Sequence, residues 1–302
     1  MYPIYLLLAI DSPFSRPVLQ TLLETGRPPA ALILPNPNRA ALPRPYTPRS
    51  QNATPPPATP LHLFPPAPSL SQLAAQHHVP ILTLGNLRHP ETLAALRAYQ
   101  PDLLLTACFP HLLPPEILAI PRLGSLNLHP SLLPAYRGPQ PLFWQFYYGE
   151  ARTGVTLHFM DEKADTGDIV SQAEVRFPDG ISLAHAETLT AQAGGDLICR
   201  ALAQPDQLPR IPQSEQGASY HPRPTSADLI IPTTWTARRA FNFLRAARDW
   251  GPFEIVDQTR QRLRVREAVG LVESLGAANL PGPDKGETWV QFNDGLLGVR
   301  VG

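Results

Sequence analysis

Twelve of the 34 residues from Pro35 to Pro68 are proline. Proline lacks a backbone N–H and has a fixed φ, so neither a helix nor a central strand persists through such a run. The stretch is expected to be a long surface loop, and regular structure has to lie on either side of it. It carries Arg39, Arg44 and Arg49 and no acidic residue. Two readings stand for it: a solvated proline-rich insertion, or a local phosphate contact through the three arginines.

Around the loop, strand and helix patterns alternate. Leu6–Ile10 and Ala31–Leu34 are short apolar runs of the strand type, while Pro17–Glu24 and Ser69–His77 have helical spacing, the latter with Ser69 as a cap. A further helix is predicted over Pro90–Tyr99, with buried strands over Leu103–Ala107 and Ser125–His129. Gln140–Tyr148 reads as a helix, Gly154–Phe159 and Ile169–Arg176 as strands, and Ser182–Leu202 as a long closing helix. This order predicts an α/β fold with a mostly parallel sheet, which takes its ligands at the carboxyl ends of its strands. After Pro205 the texture changes: Ala237–Arg248 is helical in spacing, and Arg262–Arg266 and Trp289–Phe292 alternate as strands do. The expected organisation is an α/β domain over 1–204 with its insertion at 35–68, a linker over 205–218, and a smaller, mainly β domain over 219–302.

Charge narrows the partners. Twenty-five basic residues balance 25 acidic ones, so no global field draws a polyanion; an RNA contact has to come from a local patch, and DNA is not an expected partner. Cys108 and Cys199 are the only cysteines, which fits a reducing cytoplasm. The apolar start at Met1–Ile10 lacks a basic leader and is far below the roughly 18 residues of a membrane helix, so it reads as a buried first strand.

The polar residues that stand out are Asn127 and His129 at a strand end, followed by Asp165. Residues two apart on one strand leave the same face, so Asn127 and His129 can converge on one atom. Together the three supply a neutral donor, a titratable base and an anion to orient it, the parts that acyl transfer between nitrogens requires. From these residues alone a structural role also stands, with the polar side chains satisfying turn amides. Asp161, Glu162, Asp165 and Asp168 resemble a hard-ligand cluster but lack the spacing of an EF-hand loop, and His77, His78 and His129 lack zinc-site spacing. Cys108 reads as a small buried hydrophobe rather than a nucleophile. There is no Gly-x-Gly-x-x-Gly and no Walker-type loop, and Lys163 and Lys285 are the only lysines; hydride transfer and NTP hydrolysis lack support.

Asn127-Leu128-His129-Pro130-Ser131-Leu132-Leu133-Pro134, continuing through Tyr136-Arg137-Gly138 to Pro141, closely resembles the signature of the formyltransferases that use 10-formyltetrahydrofolate. Asp165-Thr166-Gly167-Asp168 is similar to that family's later acidic motif. The resemblance implies a formyltransferase-type, Rossmann-like sheet over 1–204, with Asn127, His129 and Asp165 as the catalytic triad. It implies 10-formyltetrahydrofolate as co-substrate, no metal, and a folate site lined by Ser131, Leu132, Leu133 and Pro134. The turn Cys108–Leu112 is similar to the edge that holds the pterin, through Phe109 and Leu112.

Farther on, Tyr220, Asp228, Leu244-Arg245-Ala246 and Trp250-Gly251-Pro252-Phe253 resemble the opening of the oligonucleotide-binding-type barrel appended to methionyl-tRNA formyltransferases. Sugar-nucleotide formyltransferases share that appendage, and His221-Pro222-Arg223-Pro224 is similar to theirs. The chain departs from the tRNA enzymes where the proline-rich loop replaces a basic, glycine-containing insertion and where Ile231-Pro232-Thr233 stands for Ile-Asp-Trp. From Asp206 onward 12 Arg and Lys face 11 Asp and Glu, fewer cations than a tRNA platform carries. The expected reaction is formyl transfer to a primary amine, foremost that of initiator methionyl-tRNA, with Arg39, Arg44, Arg49 and Arg137 as acceptor contacts. An amino-sugar nucleotide is the alternative acceptor, and a non-catalytic folate- or RNA-binding homologue the second alternative. The expected setting is cytoplasmic, with no membrane partner.

Overall fold

The computed structural model describes residues 3–46, 68–150, 152–273, 284 and 286–302. In chain order its elements are β1 (Tyr5–Ala9), α1 (Ser15–Glu24), β2 (Ala31–Pro35), β3 (Arg44–Pro45), α2 (Leu70–Gln76), β4 (Ile81–Leu84), α3 (Pro90–Arg97), β5 (Leu103–Ala107), α4 (Pro115–Leu118) and β6 (Gly124–His129). There follow α5 (Pro141–Tyr148), β7 (Thr153–Phe159), β8 (Ile169–Val175), α6 (Leu183–Ala203), β9 (Ile230–Pro232), α7 (Ala237–Ala246), β10 (Phe253–Val256), β11 (Arg262–Val272), β12 (Glu287–Gln291) and β13 (Leu296–Val301). Two compact units divide the chain: residues 1–129, 155–173 and 190–214 form the first, and 130–154, 174–189 and 215–302 the second.

The first unit is built on a sheet of order β3-β4-β2-β1-β5-β6-β7-β8. From β4 to β6 the pairs are parallel, β3 runs antiparallel to β4, and β7 runs antiparallel to β6. The central strands are continuous apolar runs because both faces are covered. Along β1, Tyr5, Leu7 and Ala9 enter one core with Leu19, Leu22, Leu105 and Leu128, whereas Leu6 and Leu8 enter the opposite core with Ile33, Leu104 and Ile117. That is the two-residue alternation of a pleated strand. Helix α6 reaches the first core through Gly194, where an added Cβ would lie 2.4 Å from Leu128 Cδ2; the absent side chain lets this helix approach the strand that carries the site.

Within the proline-rich segment, Arg44 and Pro45 form a two-residue edge strand on β4. An edge position tolerates proline because only one side of the strand has to pair. Residues 47–67, including Arg49, lie outside the described residues. The segment 205–218, expected as a linker, takes local structure at its start: Pro205–Gln207 form a 3-10 turn, and Ile211, though exposed, exchanges two backbone hydrogen bonds with Ile169, at 2.8 and 3.0 Å.

The second unit holds a five-stranded sheet of order β12-β13-β11-β10-β9. All of its pairs are antiparallel except β9–β10. Among the described residues no ladder joins β12 back to β9. Helix α7 packs on β11 and β13 and buries Phe243 and Leu244 with Phe253, Val265, Leu297 and Val299. Its start is fixed twice, by Thr236 accepting from Arg239 N and by Asp294 accepting from Ala237 N at 2.7 Å, satisfying amides that a helix leaves open at its first turn. Among the described residues no helix is long and apolar enough to cross a membrane.

Candidate active site

The carboxyl end of β6 lies between β5, which is parallel to it, and β7, which is antiparallel. Register sets Thr106 of β5 and His158 of β7 beside Asn127, and Thr156 beside His129. Directly paired residues share a face of the sheet, so these side chains meet. Asp165 comes from the loop between β7 and β8. Its Oδ1 lies 3.5 Å from His129 Nδ1 and 3.4 Å from Asn127 Nδ2. His129 is 4% exposed, and the Asp165 side chain 15%. Sequence reasoning paired Asn127 and His129 through their spacing; the loop adds the acid.

The chemistry of the neighbours settles how the Asn127 amide is turned. His158 Nδ1 lies 2.7 Å from the carbonyl oxygen of Phe159; a carbonyl only accepts, so Nδ1 carries the proton. Burial, reinforced by the nearby His129 and opposed by Asp165, pushes the His158 pKa down to about 4. At neutral pH this imidazole is therefore uncharged with a bare Nε2, and it accepts from Asn127 Nδ2 at 3.1 Å. Its 3.7 Å approach to Asp165 Oδ1 is then no ion pair. On the other side, Thr106 Oγ1 donates to Asn127 Oδ1 at 2.7 Å. The amide is thus held with oxygen toward β5 and nitrogen toward β7, and its 3.4 Å contact with Asp165 is the longest of the three.

The loop carrying Asp165 is constrained throughout. Asp161 accepts from Lys163 N at 3.0 Å and from the Thr166 hydroxyl at 2.8 Å, which engages this carboxylate in turn formation. Gly167 passes so close to β7 that a Cβ there would lie 2.1 Å from Phe159 O. Asp165 itself has φ +58°, a left-handed conformation uncommon outside glycine, asparagine and aspartate. Among the described residues no group of three or more His, Cys, Asp or Glu is arranged to hold a metal ion.

The other candidates fall in several places. Cys108, expected as a small buried residue, is exposed, because the chain turns out of β5 there at φ +61°; Phe109 packs against the core of Leu6, Leu104 and Leu113, and Leu112 is 70% exposed. In the second unit, Ser131 and Leu133 are buried. Ser131 Oγ donates to Ala135 O at 2.7 Å, so these two shape the turn, and Leu132 and Pro134 are its half-buried members. Arg39 is exposed and lines a cavity of about 290 Å³ with Asn36 and His111; burial and the Arg39 cation lower the His111 pKa. Arg44 is exposed on β3. Arg137 belongs to the second unit, with Nη2 3.9 Å from Glu215. Sequence reasoning missed His158 and Thr106. The alternation along Val155–Phe159 marks His158 as a polar residue on a buried strand, but only the register across β6 and β7 shows what it faces.

Residues 54–202 match the family described as formyl transferase. The methionyl-tRNA formyltransferase of Syntrophus aciditrophicus is 39% identical over 167 residues, which span 55% of this chain and 54% of that protein. The methionyl-tRNA formyltransferase of Pelotomaculum thermopropionicum is 32% identical over 272 residues, 89% of this chain and 80% of that protein. In three dimensions the chain is similar to the N-formyltransferase of Helicobacter canadensis, whose crystal structure contains folinic acid and dTDP-3-aminofucose; the TM-score is 0.62 at 16% identity, over 99% of both chains. At that identity the likeness is one of fold.

Proposed function

Because the chain belongs to the formyl transferase family, we propose that it moves a formyl group from 10-formyltetrahydrofolate to a primary amine, with Asn127, His129 and Asp165 carrying the step. The observation that carries this reading is the convergence of Asn127 Nδ2 and His129 Nδ1 on one oxygen, Asp165 Oδ1, at 3.4 and 3.5 Å. The amine attacks the formyl carbon and charge builds on its oxygen. Asn127 turns the N–H of its long contact toward that oxygen, and His129, once its Nε2 has taken the proton lost by the amine, adds a second donor before passing that proton on. Asp165 favours the tautomer with hydrogen on Nδ1, which puts the exchangeable lone pair of His129 on Nε2. His129 relays the proton lost by the amine, through water, to the leaving folate nitrogen.

The remaining assignments are part of the same proposal. For the folate, half-buried Leu132 and Pro134 offer apolar surface on the turn that Ser131 and Leu133 hold. Residues 1–204 are the catalytic domain. The sheet within 219–302 is of the oligonucleotide-binding type, a reading supported by the two irregularities in β11, since bulges bend and twist a strand. The setting is the cytoplasm, in keeping with two free cysteines.

For the acceptor, the amino group of methionyl-tRNA is favoured by the names of relatives that are 39% and 32% identical. Exposed Arg39 and Arg44, with Arg49, would meet its phosphates; the Arg137 side chain is only 11% exposed and is not proposed as a contact. An amino-sugar nucleotide is the second reading, favoured by the fold likeness to the Helicobacter canadensis protein and by the near balance of 12 basic and 11 acidic residues from Asp206 onward. The test is labelled 10-formyltetrahydrofolate offered to methionyl-tRNA and to dTDP-linked amino sugars in parallel. With tRNA as acceptor, apparent affinity should fall steeply with salt, and Arg39→Ala should reduce the logarithmic salt slope by about 1. Salt-independent use of tRNA, or faster formylation of an amino sugar, sinks the tRNA reading.

A further inference from the structure

We infer that Gln213, in the segment after the long helix, is a positioning residue that clasps the Asp165 loop into its working conformation; the inference rests on the triad reading above. Gln213 Nε2 lies 2.9 Å from the carbonyl oxygen of Asp165 and 2.8 Å from that of Gly167. Both partners only accept, so the side-chain nitrogen is the atom that faces them, and each of its two hydrogens is matched to one carbonyl. One side chain thus bridges the two residues on either side of Thr166. Those residues are the ones with the least tolerant backbones of the loop. Asp165 sits at φ +58°, a left-handed conformation that aspartate adopts more readily than most residues but that outside support helps to hold. Gly167 is pressed against Phe159 O.

The clasp is itself anchored. Two residues before Gln213, Ile211 pairs with Ile169 through reciprocal backbone hydrogen bonds of 3.0 and 2.8 Å. The strap is therefore pinned to the first residue of β8, at the far end of the same loop. On the other side of the loop, Phe159 N donates to Asp168 O at 2.8 Å. Between these fixed points, a loss of the Gln213 donors would leave the carbonyls of Asp165 and Gly167 without these two partners and free the Asp165 Cα to shift. A catalytic group displaced by about 1 Å loses on the order of 100-fold in rate in the steepest cases. Asp165 touches His129 and Asn127 at 3.5 and 3.4 Å, so a shift of that kind reaches both.

The experiment is a double-mutant cycle on the full chain. Gln213→Met keeps length and bulk and removes both donors; Gln213→Glu is a second variant of the same shape that turns acceptors toward the carbonyls. Each is made alone and combined with Asp165→Asn, and kcat, KM for the formyl donor and KM for the amine are measured together with the melting temperature. For positioning, kcat should fall roughly 10-fold with both KM values within about twofold. In the Asp165→Asn background the same Gln213 change should cost almost nothing, because the group it positions is gone. Wild-type kcat in a folded Gln213 variant overturns the clasp, and so does an equal loss with and without the Asp165 carboxylate, which is the mark of a general structural role. Normal turnover in Asp165→Asn alone is a different failure: it removes Asp165 from the chemistry, and the inference falls with the reading beneath it.

Discussion

Asn127→Ala should lower turnover by on the order of 100-fold or more while folate binding is largely retained. A preorganised donor aimed at a developing oxyanion contributes about 3–4 kcal/mol to the barrier, which corresponds to that range. The Asn127 amide is preorganised by three contacts, with Thr106 at 2.7 Å, His158 at 3.1 Å and Asp165 at 3.4 Å. Its orientation therefore needs no adjustment when charge appears, apart from release of the longest contact. Alanine keeps the backbone ladders of β6 with β5 and β7, so the site walls remain. The substitution also leaves Thr106 Oγ1 and His158 Nε2 without this partner, so some loss of stability accompanies the loss of rate. The two effects separate by measuring single-turnover formyl transfer at saturating donor beside direct titration with folinic acid. Unchanged donor affinity with a slowed step places Asn127 in the transition state. Turnover within about tenfold of the unsubstituted protein would remove it from that role.

The route from sequence to site was uneven for physical reasons. Strands β1 and β5 are legible as nearly continuous apolar runs because both of their faces are buried, and burial of that kind is written locally, whereas β6 alternates, with Leu126 and Leu128 in the core and Asn127 and His129 on the other positions. Asn127 and His129 were legible as a pair because a separation of two on one strand guarantees a common face. Asp165 stands out as the anion that could orient a histidine, and the likeness of its loop to a known motif strengthens it; nothing local in the sequence says that it folds back onto β6. His158 and Thr106 could not be read at all as partners of Asn127, since their proximity depends on which strands are neighbours and in what register. Gln213 was hidden for the opposite reason. Its segment has no periodicity and reads as a linker, yet Ile211 pairs with Ile169 and brings it under the loop. The short strand β4, three apolar residues and Thr83, is too brief to carry a signal that separates strand from buried turn. What periodicity encodes is a side chain's face; what the site needs in addition is wiring between elements.

His158 gives the wiring a thermodynamic signature. Burial holds its pKa at about 4 in the folded chain, against an ordinary value of about 6.5 when unfolded. Between those values the unfolded chain binds a proton that the folded chain does not, so stability rises with pH across the window. The contribution of His158 is therefore complete above about pH 6.5, diminishes as pH falls and is exhausted near pH 4, with a span of about 3 kcal/mol. The neighbours that face it act in opposite senses, His129 lowering and Asp165 raising its proton affinity, so the midpoint of the loss belongs to the cluster rather than to one ring. His158→Gln keeps an amide oxygen that can accept from Asn127 Nδ2 and removes the titration. Calorimetric melting from pH 7.5 to pH 4 should then show a steep fall in melting temperature for the unsubstituted protein and a shallower one for His158→Gln. Parallel curves for the two would mean that His158 enters the folded state already able to take up its proton, and that Asn127 is held at neutral pH by something other than a neutral imidazole.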